Sequence, residues 1–294
     1  MDAFISHSSR DAAIARPLER QLEQMGLAVW LDDSEIRVGA LLRDELQTSI
    51  AVCKALVLLW SANAQPSRWV AAEWLTAIHT DRPVLGCALD GTELPQCLSS
   101  TVFLDARRDA DRLAERVARA IRASEGQHPA VAPVMRHASA DLENAISMIA
   151  AGQEAVTNQL LREDTASAAE LQATLDGVMG EARRVWPLDP VIVNLDGYHH
   201  KNAYLVRHWD AIQAGRAPAD PLLTQAEQRF FETLSIDPYD PSALNGLGSV
   251  LINERELDAA EFFILAAIKA AAHQGMDSYP AAEHDLALVR RFKS

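Results

Sequence analysis

Over the first 125 residues, short apolar runs of strand length alternate with amphipathic stretches of helix length, the pattern of a parallel sheet covered by helices. The runs predict strands at Ala3–Ser6, Ala28–Asp32, Ala55–Trp60, Pro83–Leu89 and Thr101–Leu104. Helices are predicted between them at Asp11–Met25, Leu41–Ile50, Trp69–Thr80 and Ala110–Ala123. In the first helix Ile14, Leu18, Leu22 and Met25 form one stripe, and Gly26 stands where a C-terminal glycine should.

The character changes at "SEGQHPAVAPVM", a proline-containing stretch without periodicity, so residues 126–140 read as a linker. Beyond it, Asp141–Leu161 and Ser167–Val185 read as long helices, while "VIVNL" fits either a strand or a helix. From Leu244 the apolar and small positions Leu247, Gly248, Leu251, Ala260, Ile264 and Ala267 fit a pair of helices brought close by Gly248 and Ala260. A shift of about 34 residues puts Ala226, Phe230 and Pro238 on equivalent places. This resembles a tetratricopeptide repeat, and it makes 141–294 an all-α tetratricopeptide-like domain; an irregular helical bundle is the alternative. "DPYDP" reads as the turn between repeats, its prolines ending a helix.

Composition narrows the class of protein. With 294 residues, 49% of them hydrophobic, the chain can build two cores. No apolar run approaches the roughly 20 residues of a membrane span, and the start lacks a signal-peptide profile, so a cytoplasmic protein is expected. Cys53, Cys87 and Cys97 form no C-x-x-C pair and read as reduced, buried thiols. The net charge is −14, of which residues 126–294 carry −10. That excess repels phosphate backbones, which argues against nucleic acid and anionic membranes as partners.

Candidate chemistry gathers where the predicted strands end. In an open parallel sheet, ligands bind just beyond the carboxyl ends of the strands, and "DAFISHSSRD" runs from a strand into that region. Ser6, His7, Ser8 and Ser9 supply short donors and acceptors suited to phosphates or ribose hydroxyls. The next loop, "LDDSEIRVG", brings Asp32, Asp33 and Glu35 and closes at Gly39. After the third strand, Ser67 is placed to cap a helix on which Trp69 and Glu73, four apart, share a face. His199, His200 and His208 have no carboxylate or cysteine at a metal-ligand spacing and read as surface or packing residues.

Strand "DAFISHSSRD", loop "LDDSEIRVG" and the element S-x-W-x-x-x-E occur in the order found in Toll/interleukin-1 receptor (TIR) domains, and residues 1–125 resemble the bacterial kind. The resemblance implies a flavodoxin-like sheet of five parallel strands flanked by helices. It also implies an enzyme that cleaves NAD⁺ as substrate, without cofactor or metal. Glu73 takes the catalytic role in it, with Ser8, Ser9, Asp32, Ile36 and Trp69 lining the substrate cleft. The family further implies self-association into homo-oligomers or filaments and a role in bacterial immunity or signalling, with the helical domain answering a protein or small-molecule trigger. "EIRVG" replaces the R-D-x-x-P-G box of animal receptors, which sets receptor-style adaptor signalling aside.

The chemistry suits one carboxylate. Nicotinamide leaves a cationic ring nitrogen as a neutral molecule, so the protonating acid of ordinary glycosidases is not needed. A carboxylate that bonds the ribose hydroxyls can stabilise the oxocarbenium-like charge, and Trp69 can wall the flat base while Trp74 turns to the core. Other readings stand beside this one. Glu73 can be an ordinary first-turn acid favoured by the helix dipole, the two domains can form a non-enzymatic interaction module, or the cleft can bind a nucleotide without turnover. A Ser/His hydrolase lacks a nucleophile elbow and an acid partner.

Overall fold

The computed structural model describes residues 1–31, 48–101, 103–107, 112–132, 134 and 139–293. The chain forms two compact units, residues 1–133 and 134–294, and the division falls inside the 126–140 stretch. Among the described residues no helix is long and apolar enough to cross a membrane.

The first unit is built on a five-stranded parallel sheet of β1 (Ala3–Ser6), β2 (Val29–Leu31), β3 (Ala55–Trp60), β4 (Val84–Ala88) and β5 (Phe103–Asp105), in the order β2-β1-β3-β4-β5. β1 is paired on both sides: Ala3 stands opposite Val29 in β2 and opposite Ala55 in β3. Every residue of β1, β3 and β4 is buried, which explains why these strands read as continuous apolar runs and not as alternating ones. α1 (Ala12–Gln24) and α3 (Leu113–Ala123) share one core with Ile5, Val57 and Leu59, and α2 (Arg68–His79) packs on β1, β3 and β4. The stripe that α1 buries is Ala15, Leu18 and Leu22, whereas Ile14 and Met25 are exposed. Positions 15, 18 and 22 keep the helical period one residue out of step with Ile14, so the small Ala15 takes the place that the larger side chain was expected to hold. Gly26 does adopt φ of +80° at the end of this helix, the left-handed conformation that glycine permits. Residues 48–52 are helical, while 41–47 of the helix expected at Leu41–Ile50 lie outside the described residues.

The second unit is all helical, with α4 (Ala140–Leu161), α5 (Thr165–Val185), α6 (Pro190–Gln213), α7 (Pro221–Ile236), α8 (Pro241–Asn253), α9 (Leu257–His273) and α10 (Pro280–Lys293). "VIVNL" lies in α6. Three of these helices open on Asp-Pro. The carboxylates of Asp189, Asp220 and Asp240 accept the first free N–H groups, and Pro190, Pro221 and Pro241 occupy the next position, where a missing N–H costs nothing. "DPYDP" is the turn between α7 and α8, and Pro238 follows the end of α7 as expected, but Pro241 begins α8, where the Asp240 side chain caps the helix.

Each helix packs on its successor, and α4 on α6, α6 on α8 and α8 on α10 also touch. Two close approaches set these contacts. A Cβ on Gly248 would lie 2.5 Å from Ile264 Cγ1, so α8 and α9 meet at the small position seen in the sequence. Phe230 of α7, fully buried, fits between Gly197 of α6 and Gly246 of α8, where a Cβ would come within 2.7 Å and 2.4 Å of its ring. The ring touches glycine backbone on both sides, so its removal leaves a hole that neighbouring side chains are badly placed to fill. Phe230→Ala is expected to cost about 3–5 kcal/mol in chemical denaturation, at the upper end for large-to-small core changes; a loss below about 1 kcal/mol would refute this packing role.

The three cysteines are buried and form no disulfide. Burial pushes the thiol of Cys53 up to about 11 and that of Cys87 up to about 12. Both are thiols, not thiolates, at neutral pH, and a thiol is a poor nucleophile. Native protein is expected to leave these two unreactive toward a disulfide reagent at pH 8 over minutes, with reaction after denaturation; rapid labelling of either in the native state would contradict their burial.

Candidate active site

In a sheet of this order the chain crosses away from β1 to one side to form β2 and to the other to form β3. The carboxyl ends of β1 and β3 therefore border the crevice where α/β sheets place their ligands. Two side chains meet there. Ser6, the last residue of β1, donates a hydrogen bond from its hydroxyl to Oε2 of Glu73 on α2. Both residues are buried, Ser6 at 0% and Glu73 at 1% exposure.

The start of α2 explains how the helix delivers this carboxylate. Ser67 caps it by accepting the N–H of Val70 at 3.4 Å, which sets Trp69 in the first turn and Glu73 in the second. No acid stands in the first turn of α2, so dipole stabilisation, which fades beyond that turn, is not what holds Glu73 there. Trp74 is buried at 2% exposure and belongs to the core; its indole N–H has no hydrogen-bond partner among the described residues. Trp69 is half-buried and has the Arg68 guanidinium 6.0 Å from its ring centroid.

A set of side chains fixes the surrounding loops. Asp11, at the N-terminus of α1, accepts the Ser61 hydroxyl at 2.5 Å and the Asn63 side-chain amide at 2.8 Å, tying the loop after β1 to the loop after β3. The Ser61 hydroxyl in turn accepts the backbone N–H groups of Asn63 and Ala64, both at 3.1 Å. Asp90, just beyond β4, accepts the Ala62 N–H and the Thr92 N–H at 2.8 Å each. The Ala62 bond is the main reason its carboxyl is held below the usual aspartate range. The Trp60 indole donates to the Glu93 carbonyl at 2.8 Å.

Of the residues singled out in the sequence, Glu73 and Trp69 lie on α2, one turn apart. Ser8 is buried just after β1 and Ser9 is exposed at the start of a short 3-10 turn that ends at Asp11. Asp32 and Ile36, with Asp33, Glu35 and Gly39, lie outside the described residues. Ser6 is the partner of Glu73, a role that sequence reasoning did not single out within the serine-rich loop. Asp11, Ser61 and Asn63 were missed altogether, because their pairing joins positions 50 and 52 apart with no local signal. Among the described residues no group of three or more His, Cys, Asp or Glu side chains could hold a metal ion.

Residues 3–121 match the model of the TIR domain family. Over 74 residues the chain is 32% identical to a protein of Methanobrevibacter olleyae named as a probable 2′ cyclic ADP-D-ribose synthase, TcpO, which is 25% of this chain and 22% of that protein. Over 73 residues it is 33% identical to the 2′ cyclic ADP-D-ribose synthase AbTIR of Acinetobacter baumannii, 24% of this chain and 27% of that protein. The chain thus aligns with about a quarter of the length of each of these curated relatives. No solved structure matches it significantly. The chain carries an N-terminal TIR domain followed by a helical region.

The Asp11 clamp generates a test of the scaffold. Hydrogen bonds to a charged acceptor contribute about 1.5–3 kcal/mol when partly buried. Asp11→Ala is expected to destabilise the protein by about that amount in chemical denaturation, and Asp11→Asn by less, because an amide oxygen still accepts. Equal effects of the two variants would show that the carboxylate does not act as the acceptor described.

Proposed function

We propose that the N-terminal unit cleaves the bond between nicotinamide and ribose in NAD⁺, with Glu73 as the catalytic carboxylate. The observation that carries this reading is a glutamate seated at the junction of β1 and β3 and oriented by Ser6, where an open α/β sheet binds its ligands. In the reaction, the bonding pair between ribose C1′ and the pyridinium nitrogen moves to that nitrogen, and neutral nicotinamide leaves. Glu73 bonds the ribose hydroxyls and stabilises the cationic C1′ as it forms. Ser8, Ser9, Asp32 and Ile36 border the cleft in this scheme, and Trp69 walls the base. The cation is captured either by water, giving ADP-ribose, or by a hydroxyl of the second ribose, giving a cyclic product; a proton is lost in both cases. The names of the two relatives favour cyclisation through a 2′ oxygen. We extend the proposal to control: TIR units self-associate, and the tetratricopeptide-like helical unit sets when they do, in bacterial immunity or signalling.

The same hydrogen bond supports a second reading. A carboxylate bonded to Ser6 ties α2 to β1, so Glu73 can be a structural element of a non-enzymatic interaction module.

NAD⁺ turnover separates the two. Glu73→Gln keeps the shape and an acceptor oxygen but not the charge, so a catalytic Glu73 predicts a fall in turnover of roughly 10²–10⁴-fold, with little change in the unfolding midpoint. Wild-type activity per molecule is expected to rise with protein concentration, and mass spectrometry of the product identifies the cyclic or linear form. Unchanged turnover in Glu73→Gln would refute the catalytic role.

A further inference from the structure

The loop after β3 sets one more polar group at the crevice that Glu73 borders. Asn63 is held there at two points: its backbone N–H donates to the Ser61 hydroxyl at 3.1 Å, and its side-chain amide nitrogen donates to Asp11 Oδ1 at 2.8 Å. Asp11 belongs to the stretch that follows β1, so this amide spans the gap between the two strand ends where an open α/β sheet binds its ligands.

A carboxylate accepts hydrogen bonds and does not donate them, which fixes the Asn63 amide with its nitrogen toward Asp11 and its oxygen away from it. The opposite orientation would set oxygen against oxygen. Asn63 Oδ1 makes no hydrogen bond to the described residues. The residue is half-buried and this oxygen is not enclosed, so a molecule in the crevice can reach it. Ser8, 4% exposed in the loop after β1, stands at the N-terminus of the short 3-10 turn, yet its hydroxyl caps no backbone N–H. Hydrogen bonds left unmade by partly buried groups are those that a ligand can supply.

Charge and position select the ligand group. An amide oxygen with a carboxylate behind it attracts an N–H or O–H donor and repels an anion. Asp11 is 8% exposed, so solvent screens its field only weakly. In the proposed reaction Glu73 bonds the ribose beside the bond that breaks, and on the leaving side of that bond stands the nicotinamide ring with its carboxamide. The carboxamide is uncharged and carries two N–H donors. The deamidated ring, nicotinate, presents a carboxylate in its place.

We infer that Asn63 determines specificity for the leaving base, accepting a carboxamide N–H of nicotinamide at Oδ1 and turning away the nicotinate carboxylate. The inference rests on the NAD⁺ reading of this site.

Steady-state kinetics of the full chain with NAD⁺ and with nicotinic acid adenine dinucleotide test it, on wild type and on Asn63→Ala. Calorimetric titration of both dinucleotides into Glu73→Gln measures binding apart from turnover. Wild type is expected to favour NAD⁺ by about a hundredfold or more in kcat/KM, since a site built to accept a donor rejects the analogue without one. Asn63→Ala is expected to lower that ratio by about tenfold, the size of one hydrogen bond. A loosened loop would slow both substrates alike and leave the ratio unchanged, so the ratio reports recognition and not folding. The titration, with Asn63 intact, is expected to show the same preference for NAD⁺ even if Asn63→Ala fails to fold. Equal use of the two dinucleotides by wild type, or a ratio that Asn63→Ala does not move, would overturn the inference and leave NAD⁺ cleavage standing. A chain that neither binds nor cleaves either dinucleotide would overturn both.

Discussion

A buried carboxylate that must be satisfied by a strand end is the constraint on which the N-terminal unit depends. Glu73 is 1% exposed, and a polar group removed from water is costly unless it gains hydrogen-bond partners. Ser6 is such a partner only if β1 ends where it does and α2 crosses the sheet at the right height. That placement in turn requires the β2-β1-β3 order, in which β1 is hydrogen-bonded on both sides and cannot slide. The apolar strands are therefore more than a core, because their all-buried register fixes the position of one hydroxyl. Asp11, by bonding Ser61 and Asn63, applies the same constraint to the two loops beside it.

The helical unit reaches fixed geometry by another route. Among its described residues there is no sheet to hold register, and backbone proximity does so instead: Phe230 lies against two glycines and Gly248 admits Ile264. Contacts of that closeness permit only a narrow range of helix positions, since interiors pack at crystal density. Asp-Pro starts then set where α6, α7 and α8 begin, so helix phase is fixed from both the ends and the middle.

What was legible in the sequence follows from the range of each interaction. Buried parallel strands announce themselves as apolar runs, and β1 and β3 lie where those runs lie. The glycine at 248 was legible because small and large positions recur with the helical period. The phase of α1 was not, because Ile14 and Ala15 both complete a plausible stripe and only the neighbouring α3 and the sheet decide which is buried. Glu73 was visible through its spacing from Trp69, but its bond to Ser6 spans 67 positions and depends on the order of the strands. "DPYDP" misled for a local reason: proline both follows the end of a helix, as Pro238 does, and starts one, as Pro241 does, and because each stands after an aspartate the dipeptide alone does not decide between the two.

The burial of Glu73 bears on how the proposed reaction is controlled. A carboxylate accepts about four hydrogen bonds, so a bond from Ser6 to Oε2 does not by itself prevent it from receiving ribose hydroxyls. Exposure of 1% does: a substrate that must touch this group has to find the neighbouring surface arranged otherwise than it is here. The free energy of that rearrangement lowers the apparent affinity by the fraction of molecules already open. A partner that binds the open form better than the closed one raises that fraction, and a second copy of the same domain is such a partner under the proposed self-association. On this account the deep burial that fixes Glu73 against Ser6 also keeps an isolated chain slow, and association supplies the differential binding that makes it fast.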